Sequence, residues 1–540
     1  MTTPESELAA CLPARTTNGQ ARAAALSAAG NTGREPAGIV AYQSTGRLLV
    51  VGTDDAIGQV TAALGKHTNI SCTGHPGSSA AAPVLNGYLG HFELQEGSAG
   101  PQLYDLVLDL GSPPLLQSEL LPPGYFAPGA DSVALQAALD EIPSLTGEFE
   151  KPQYYQYDAS ICAHNRSGIT ACTRCLNTCP TDAISSLGER IEVNPNLCQG
   201  AGSCATACPT GAISYGYPRL ADTLQRLRVL LQTYHDAAGT DAVVLFHDAA
   251  AGQEAVMDMA AQLPERVIPV AVEELGSIGM DTWLATLAYG AAAIALLATA
   301  RQPASVTREV THQLTVAGKI LTGMGYPATT LRLYQAGDTD LIDTLAALPV
   351  MDGRTPATFA ALDEKRTVIR LAIEYLYTQA KAPRPLVALP AGAPFGEVQV
   401  DSNRCTLCMA CVSQCPAHAL EAGTESPQLV FIEANCVQCG LCCRTCPEDA
   451  IAASPRYLYD SQKRSTRRVL CEEEPFLCIR CGKPFATRQV IQKITGKMKD
   501  HPMFRGAALE RLKMCEDCRV KAMYAAEGMG DKPASPGGLS

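Results

Sequence analysis

The sequence predicts a multidomain protein of mixed α/β and α+β class, with two small cysteine-rich domains around a parallel-sheet α/β domain and a four-cysteine tail. Three observations carry this reading. At 540 residues the chain exceeds what one hydrophobic core supports. Its 23 cysteines are bunched: seven between Cys162 and Cys208, nine between Cys405 and Cys446, and five between Cys471 and Cys518. Between the first two bunches, amphipathic and apolar segments alternate in the way that favours strands joined by crossover helices.

Bulk composition narrows the class further. Hydrophobic residues make up 46% of the chain and aromatic residues only 5%, so the cores are expected to be built from Ala, Leu and Val. A formal charge of -12 argues against general nucleic-acid affinity, which needs a dense Lys/Arg surface. From Arg456 to Lys521, sixteen Lys/Arg face eight Asp/Glu, leaving the rest of the chain near -20. This basic stretch is read as a solvated face, with orientation of a charged partner as the alternative. The segment Met1 to Gln20 carries Glu5 and Glu7, no apolar h-region and no twin-arginine signal, so a cytoplasmic location is expected. The nineteen uncharged residues from Thr282 to Ala300, interrupted by Gly290, read as a helix, a glycine turn and a buried strand rather than a membrane span.

Taken in order, residues 36–115 read as a small α/β module. Arg47–Gly52 and Leu103–Leu110 are its expected buried strands, and Pro113, Pro114, Pro122, Pro123 and Pro128 mark a long irregular connection after it. Residues 150–216 form the first cysteine-rich domain. Cys172-x2-Cys175-x3-Cys179-Pro180 supplies the last three positions of a four-cysteine motif, and Cys162 supplies the first if Ala163 to Ala171 is an insertion. A second motif begins at Cys198 and ends Cys204-x3-Cys208-Pro209, with Ala201 where its second cysteine belongs. His164, inside the insertion, is read as a surface residue rather than a ligand.

Residues 220–345 form the α/β domain. Helices are expected over Leu220–Tyr234, Glu254–Leu263, Thr282–Tyr289 and Val306–Met324, and strands over Ala242–Phe246, Val267–Val272, Ala292–Leu297 and Thr330–Tyr334. No G-x-G-x-x-G follows a strand, so a dinucleotide site is unsupported. A connecting helix is placed at 356–380.

The second cysteine-rich domain, 398–454, is the more regular. Cys405-x2-Cys408-x2-Cys411-x3-Cys415-Pro416 is followed by Cys436-x2-Cys439-x2-Cys442-x3-Cys446-Pro447. This is the bacterial ferredoxin spacing for two [4Fe-4S] clusters, in which three close thiolates hold one cluster and the proline-flanked fourth reaches the other. Cys405, Cys408, Cys411 and Cys446 would take one cluster, and Cys436, Cys439, Cys442 and Cys415 the other. By the same logic Cys162, Cys172, Cys175 and Cys208 would hold a third [4Fe-4S] cluster. Cys198, Cys204 and Cys179 would hold a [3Fe-4S] cluster at the corner left open by Ala201. A fourth [4Fe-4S] cluster completed by a serine, water or remote cysteine is the alternative. Both cysteine-rich domains thus read as ferredoxin-like dicluster domains.

The tail, 470–525, carries Cys478-x2-Cys481-Gly482 and Cys515-x2-Cys518, two pairs that suit a closed structural zinc site in a zinc-ribbon-like unit. Rubredoxin-like iron or a fifth cluster is the alternative, and Arg519 after Cys518 breaks the symmetry of a rubredoxin. Cys443, next to a ligand position, is expected to point away. Cys471 is expected to be a buried apolar residue.

Two resemblances follow from quoted residues. Val267-Ile-Pro-Val-Ala-Val, Gly276-Ser-Ile-Gly-Met-Asp and Leu287-Ala-Tyr-Gly-Ala-Ala-Ala-Ile-Ala-Leu resemble the small iron-sulfur subunit of methyl-viologen-linked hydrogenases and heterodisulfide reductases. That family carries cysteines there and this chain has none between Cys208 and Cys405, so the resemblance implies a docking scaffold without its cluster. The domain order, with Leu106-Val-Leu-Asp-Leu-Gly and Pro122-Pro-Gly-Tyr-Phe-Ala-Pro-Gly, resembles large proteobacterial multi-cluster ferredoxin-like proteins that accompany formate dehydrogenases. The expected function is one-electron transfer through four clusters, as a subunit or partner of a formate dehydrogenase or hydrogenase feeding a soluble acceptor, without nucleic acid or a membrane span. Two alternatives stand beside it: an assembly or redox-sensing factor, and an oxidoreductase with its own substrate in the α/β domain. No catalytic residue is assigned.

Overall fold

The computed structural model describes residues 4–76, 83–97, 100–350, 353–424 and 426–526. The chain divides into two compact units, one made of Met1–Asn165 with Cys172–Pro390, the other of Arg166–Ala171 with Ala391–Ser540. Both parallel sheets lie in the first unit, and each unit holds one cysteine-rich domain of the ferredoxin type.

The first sheet runs Ser71–Pro76, Arg47–Gly52, Leu106–Asp109, Tyr125–Phe126, with every neighbouring pair parallel. Its central strand is apolar without alternation because both of its faces are covered. Leu48 and Val50 pack on Val60 and Leu64 of the crossover helix Asp54–Leu64, which Thr53 caps by accepting from Ala56 N. On the opposite face, Leu49 and Val51 meet Leu85, Phe92 and Leu94 of an antiparallel sheet formed by Val84–Tyr88, His91–Gln95 and Gln102–Tyr104.

The strand expected at Leu103–Leu110 is in fact two strands in different sheets, broken at Asp105. That carboxylate, 1% exposed, accepts hydrogen bonds from Thr45 N and Oγ1 and from Arg47 N, and pairs with the Arg47 guanidinium at 2.6 Å. The demand for these partners switches the chain from one sheet to the other.

The second sheet runs Val267–Val272, Val243–Asp248, Ala293–Ala298, Leu331–Gln335, again all parallel. Pro269 is tolerated because its strand is an edge. Helices Leu220–Asp236, Ala251–Met259, Met280–Ala288 and Ala304–Gly323 fall where the periodicity places them, within a few residues at each end. The uncharged stretch is the helix Met280–Ala288, a turn at Gly290 with φ +113°, and the buried strand Ala293–Ala298. Among the described residues no helix is long and apolar enough to cross a membrane.

The two cysteine-rich domains repeat one plan. An outer antiparallel pair, Tyr155–Tyr157 with Ile213–Tyr215, encloses the hairpin Ile184–Leu187/Arg190–Val193 and the short helices Arg174–Thr178 and Ser203–Ala207. In the second unit Gly396–Val400 pairs with Ile451–Leu458, around the hairpin Leu420–Ala422/Gln428–Phe431 and the helices Ala410–Ser413 and Leu441–Thr445.

Candidate metal centres

Four turns of sequence Cys-Pro-x-x-Ala end the four motifs, at Cys179, Cys208, Cys415 and Cys446. The fourth residue of each turn is left-handed: Asp182 at φ +51°, Gly211 at +82°, His418 at +49° and Asp449 at +45°. This bend brings the following alanine N–H back toward the cysteine, so that Ala419 N donates to Cys415 Sγ at 3.2 Å and Ala450 N to Cys446 Sγ at 3.3 Å. A buried sulfur that will carry negative charge needs such donors. At the other end of both motifs in the second unit, the second cysteine sits between two left-handed residues: Leu407 (+53°) and Met409 (+59°) around Cys408, Gln438 (+54°) and Gly440 (+80°) around Cys439. Non-glycine residues rarely take this conformation, so its recurrence marks a loop shaped for a purpose.

In the second unit the thiols converge in two sets. Cys415, Cys436, Cys439 and Cys442 line one hollow with Phe431 and Val437, and Cys405, Cys408, Cys411 and Cys446 line another with Leu429 and Ile451. Burial pushes the Cys411 thiol up to about 12, and Cys405, Cys408 and Cys446 add to the shift. Cys442 is pushed much higher, first by its hydrogen bond with Cys443, then by burial and by Cys436 and Cys439. These are the quartets that the motif spacing pairs.

In the first unit, Cys175 is raised by burial and by Cys208, Cys172 and Cys162, whereas Cys204 is raised by burial and by Cys198, Cys179 and Cys175. Cys162, Cys175, Cys179, Cys204 and Cys208 lie in one apolar cluster with Ile184, Ile191 and Ile213. Ala201 is flanked by Gly200 at φ +80° and Gly202 at φ +75°, the same double left-handed frame as Cys408 and Cys439. The ligand loop keeps its shape there and lacks only the sulfur.

Thiolates crowded in low dielectric are unfavourable as isolated anions, and bound cationic iron would remove that penalty. The donor chemistry, the lined hollows and the N–H groups turned onto sulfur all fit an iron-sulfur group, with the named cysteines as its holders.

Four more thiols meet in the tail. The Sγ atoms of Cys478, Cys481, Cys515 and Cys518 all lie within 4.8 Å of one another, with Cys481 and Cys515 at 3.7 Å. Among the described residues this is the one His/Cys/Asp/Glu group drawn so tightly. One metal at about 2.3 Å from each sulfur needs tetrahedral edges of roughly 3.8 Å, so the spacing suits a mononuclear site. A cubane holds its ligands farther apart, since each binds its own iron. Cys478 and Cys481 form a knuckle between the strands Pro475–Leu477 and Pro484–Thr487, closed by Gly482 N donating to Cys478 O at 2.9 Å. Cys515 and Cys518 lie instead at the start of the helix Glu516–Ala526. The first pair of the tail thus sits on a hairpin and the second at a helix start.

Two single-residue expectations are corrected, and a third is refined. His164 is 2% exposed: its Nδ1 lies 2.9 Å from Cys172 O and its Nε2 2.7 Å from Ser186 Oγ, so it fastens the insertion inward instead of facing solvent. Cys443 does not turn away but hydrogen-bonds Cys442, which draws its thiol down to about 7. Cys471 is buried as expected, yet it contacts the Cys405 thiol. Spacing also missed Lys151, a strand residue 47 positions before Cys198. Its ammonium donates to Cys198 O at 2.6 Å, and burial lowers it to about 8.

Comparison with known proteins bears on these centres. Residues 169–212 and 404–450 each match the 4Fe-4S dicluster domain. Over 40 residues the chain is 50% identical to hydrogenase-4 component A of Escherichia coli (strain K12). That match covers 7% of this chain and 20% of the relative. The chain is accordingly a multi-cluster iron-sulfur protein carrying two dicluster domains.

Proposed function

We propose that this chain is a one-electron relay with two cluster pairs, working as a subunit or partner of a dehydrogenase of the formate dehydrogenase or hydrogenase type. The observation that carries the reading is that the eight motif cysteines of the second dicluster domain line two hollows, and the seven of the first domain follow the same motif pattern. Cys405, Cys408, Cys411 and Cys446 hold one cluster, Cys415, Cys436, Cys439 and Cys442 a second, and Cys162, Cys172, Cys175 and Cys208 a third, each of the [4Fe-4S] type. Cys179, Cys198 and Cys204 hold a [3Fe-4S] cluster. When bound, such clusters take up and give back single electrons. The protein's part is to exclude water with residues such as Phe431 and Ile191, and to turn N–H groups onto the sulfurs. Cys478, Cys481, Cys515 and Cys518 hold one zinc ion, which substitutes for a core that is otherwise little more than Phe485 and Met514. The partial likeness to a hydrogenase component supports a redox-enzyme partner.

The test is anaerobic purification of the full chain with iron, sulfide and zinc analysis, followed by identification of co-purifying proteins. Colourless protein without acid-labile sulfide refutes the relay, and stable capture of no redox enzyme under reducing conditions refutes the partner.

One observation favours a second reading, an oxidoreductase with its own ligand. A cavity of about 710 Å³ opens at the carboxyl edge of the second parallel sheet, where Ala249 and Val272 meet Thr206 and Thr210 of the dicluster domain. Strand carboxyl ends are where α/β sheets bind ligands. A stoichiometric flavin or other organic cofactor in the purified protein would select this reading.

A further inference from the structure

Both dicluster domains surround their thiols with neutral donors. Gln438 Nε2 lies 3.3 Å from Cys436 Sγ in the second unit; in the first, Thr181 Oγ1 lies 3.4 Å from Cys179 Sγ and Thr210 Oγ1 3.5 Å from Cys208 Sγ. Full charges are distributed otherwise. Lys151, on the strand Gly147–Pro152, aims its ammonium at the loop of the incomplete motif. Nζ donates to Asn196 O at 2.9 Å and Cys198 O at 2.6 Å, and stands 4.9 Å from the Tyr42 ring centroid. Lys365 Nζ donates to the carbonyls of Ala205, Thr206 and Cys208 at 2.8, 2.6 and 3.1 Å, behind the helix that carries Cys204.

In the second unit, the groups acting most strongly on Cys411 and Cys442 are other thiols and burial. Of the cations beside that pair, Arg456 pairs with Glu397 and Glu433, each at 2.7 Å, and Lys493 pairs with Glu448, while Arg444 donates to Thr170 O.

A fixed positive charge in a poorly screened site favours the more negative, reduced form and raises the reduction potential. We propose that Lys151, supported by Lys365, is an electrostatic positioning residue that makes the Cys179–Cys198–Cys204 site the highest-potential station of the relay, so that electrons enter at the second unit and come to rest in the first. This rests on the relay reading above. Each transfer moves one electron from a reduced site in the second unit to an oxidised site in the first, with no bond made or broken; a reduced partner enzyme, or dithionite in the test, supplies the electron.

The experiment is an EPR-monitored redox titration of the full-length protein, purified anaerobically, as wild type, Lys151→Gln, Lys151→Arg and Cys198→Ser. Glutamine keeps an N–H donor for the two carbonyls while removing the charge. In Lys151→Gln, at unchanged iron content, the signal that Cys198→Ser abolishes falls in potential. The expected drop is about 59 mV or more, a tenfold smaller reduced-to-oxidised ratio at fixed poise. Lys151→Arg keeps the wild-type value. An unmoved signal in Lys151→Gln overturns the proposal. Should that variant lose iron, the wild type decides: the signal abolished by Cys198→Ser must titrate highest, and any other order overturns it. Protein without iron or sulfide in any form would instead refute the relay itself.

Discussion

Replacing Ala201 by cysteine should convert the incomplete site into a complete one. The loop is already formed: Gly200 and Gly202 hold φ +80° and +75° around Ala201, matching the frames around Cys408 and Cys439. It is also pinned, because a methyl group at Gly276 would come within 2.3 Å of Ala201 O, and one at Gly202 within 2.4 Å of Ser277 Cα. The substitution therefore adds one sulfur to a fixed backbone, without the reorganisation that usually blurs an engineered ligand. Three four-iron clusters and one three-iron cluster give about 15 irons and about 16 sulfides per chain, and Ala201→Cys should raise iron to about 16 while sulfide stays constant. The assay is iron and sulfide analysis of anaerobic protein beside EPR of the oxidised state, where the three-iron signal of the wild type should vanish in the variant. Wild-type protein that already holds about 16 irons and shows no three-iron signal would refute the reasoning. So would a variant whose iron and EPR are unchanged.

Three further outcomes are expected. Cys439→Ala places at an intact motif what Ala201 is at the incomplete one, and should cost one iron per chain and create a second three-iron signal, read by the same analysis. Cys515→Ser should release about one zinc per chain by elemental analysis and make residues 470–526 susceptible to limited proteolysis, with the cluster absorbance retained, because the tail core consists mainly of its thiols. Iron in place of zinc at that site would refute the assignment. Asp105→Asn should lower stability at pH 7 by about 2 kcal/mol in denaturant unfolding. Burial opposes the Asp105 charge, but the Arg47 guanidinium and the Thr45 and Arg47 donors outweigh it and hold the carboxyl at about 2, below its ordinary 3.8. With the folded-state value depressed, the contribution is complete above pH 3.8 and lost as pH falls through about 2, so the gap between variant and wild type should close across that window.

How much of this was legible in the residues depended on how local the cause was. Strand Val267–Val272 and helix Leu220–Asp236 could be read because apolar spacing and burial coincide there. Asp105 could not, since the partners that break its strand lie about sixty residues away. The thiol sets were legible because the ligand loops encode their own bends, in Cys-Pro-x-x-Ala and in the residues flanking Cys408 and Cys439. The inward turn of His164 was not, for it depends on Ser186 of a neighbouring hairpin. Nor was the tail's architecture: Cys-x2-Cys spacing is the same on a hairpin knuckle and at a helix start, and only the surrounding chain separates the two.

The two dicluster domains share their strand pairs, their hairpin, their short helices and the left-handed turn after each Cys-Pro, so this common frame gives no reason for their clusters to behave differently. What differs is an alanine at one second-ligand position, a ten-residue step from Cys162 to Cys172, and two lysines on carbonyls of the cluster loops. Each change falls on the same domain. A chain that needed only storage for electrons would gain nothing from keeping a ligand loop in shape after losing its sulfur, or from burying an ammonium at the cost of its solvation. A difference in potential between two otherwise equal pairs is the property that these departures jointly produce, and a relay needs such a difference to have a direction.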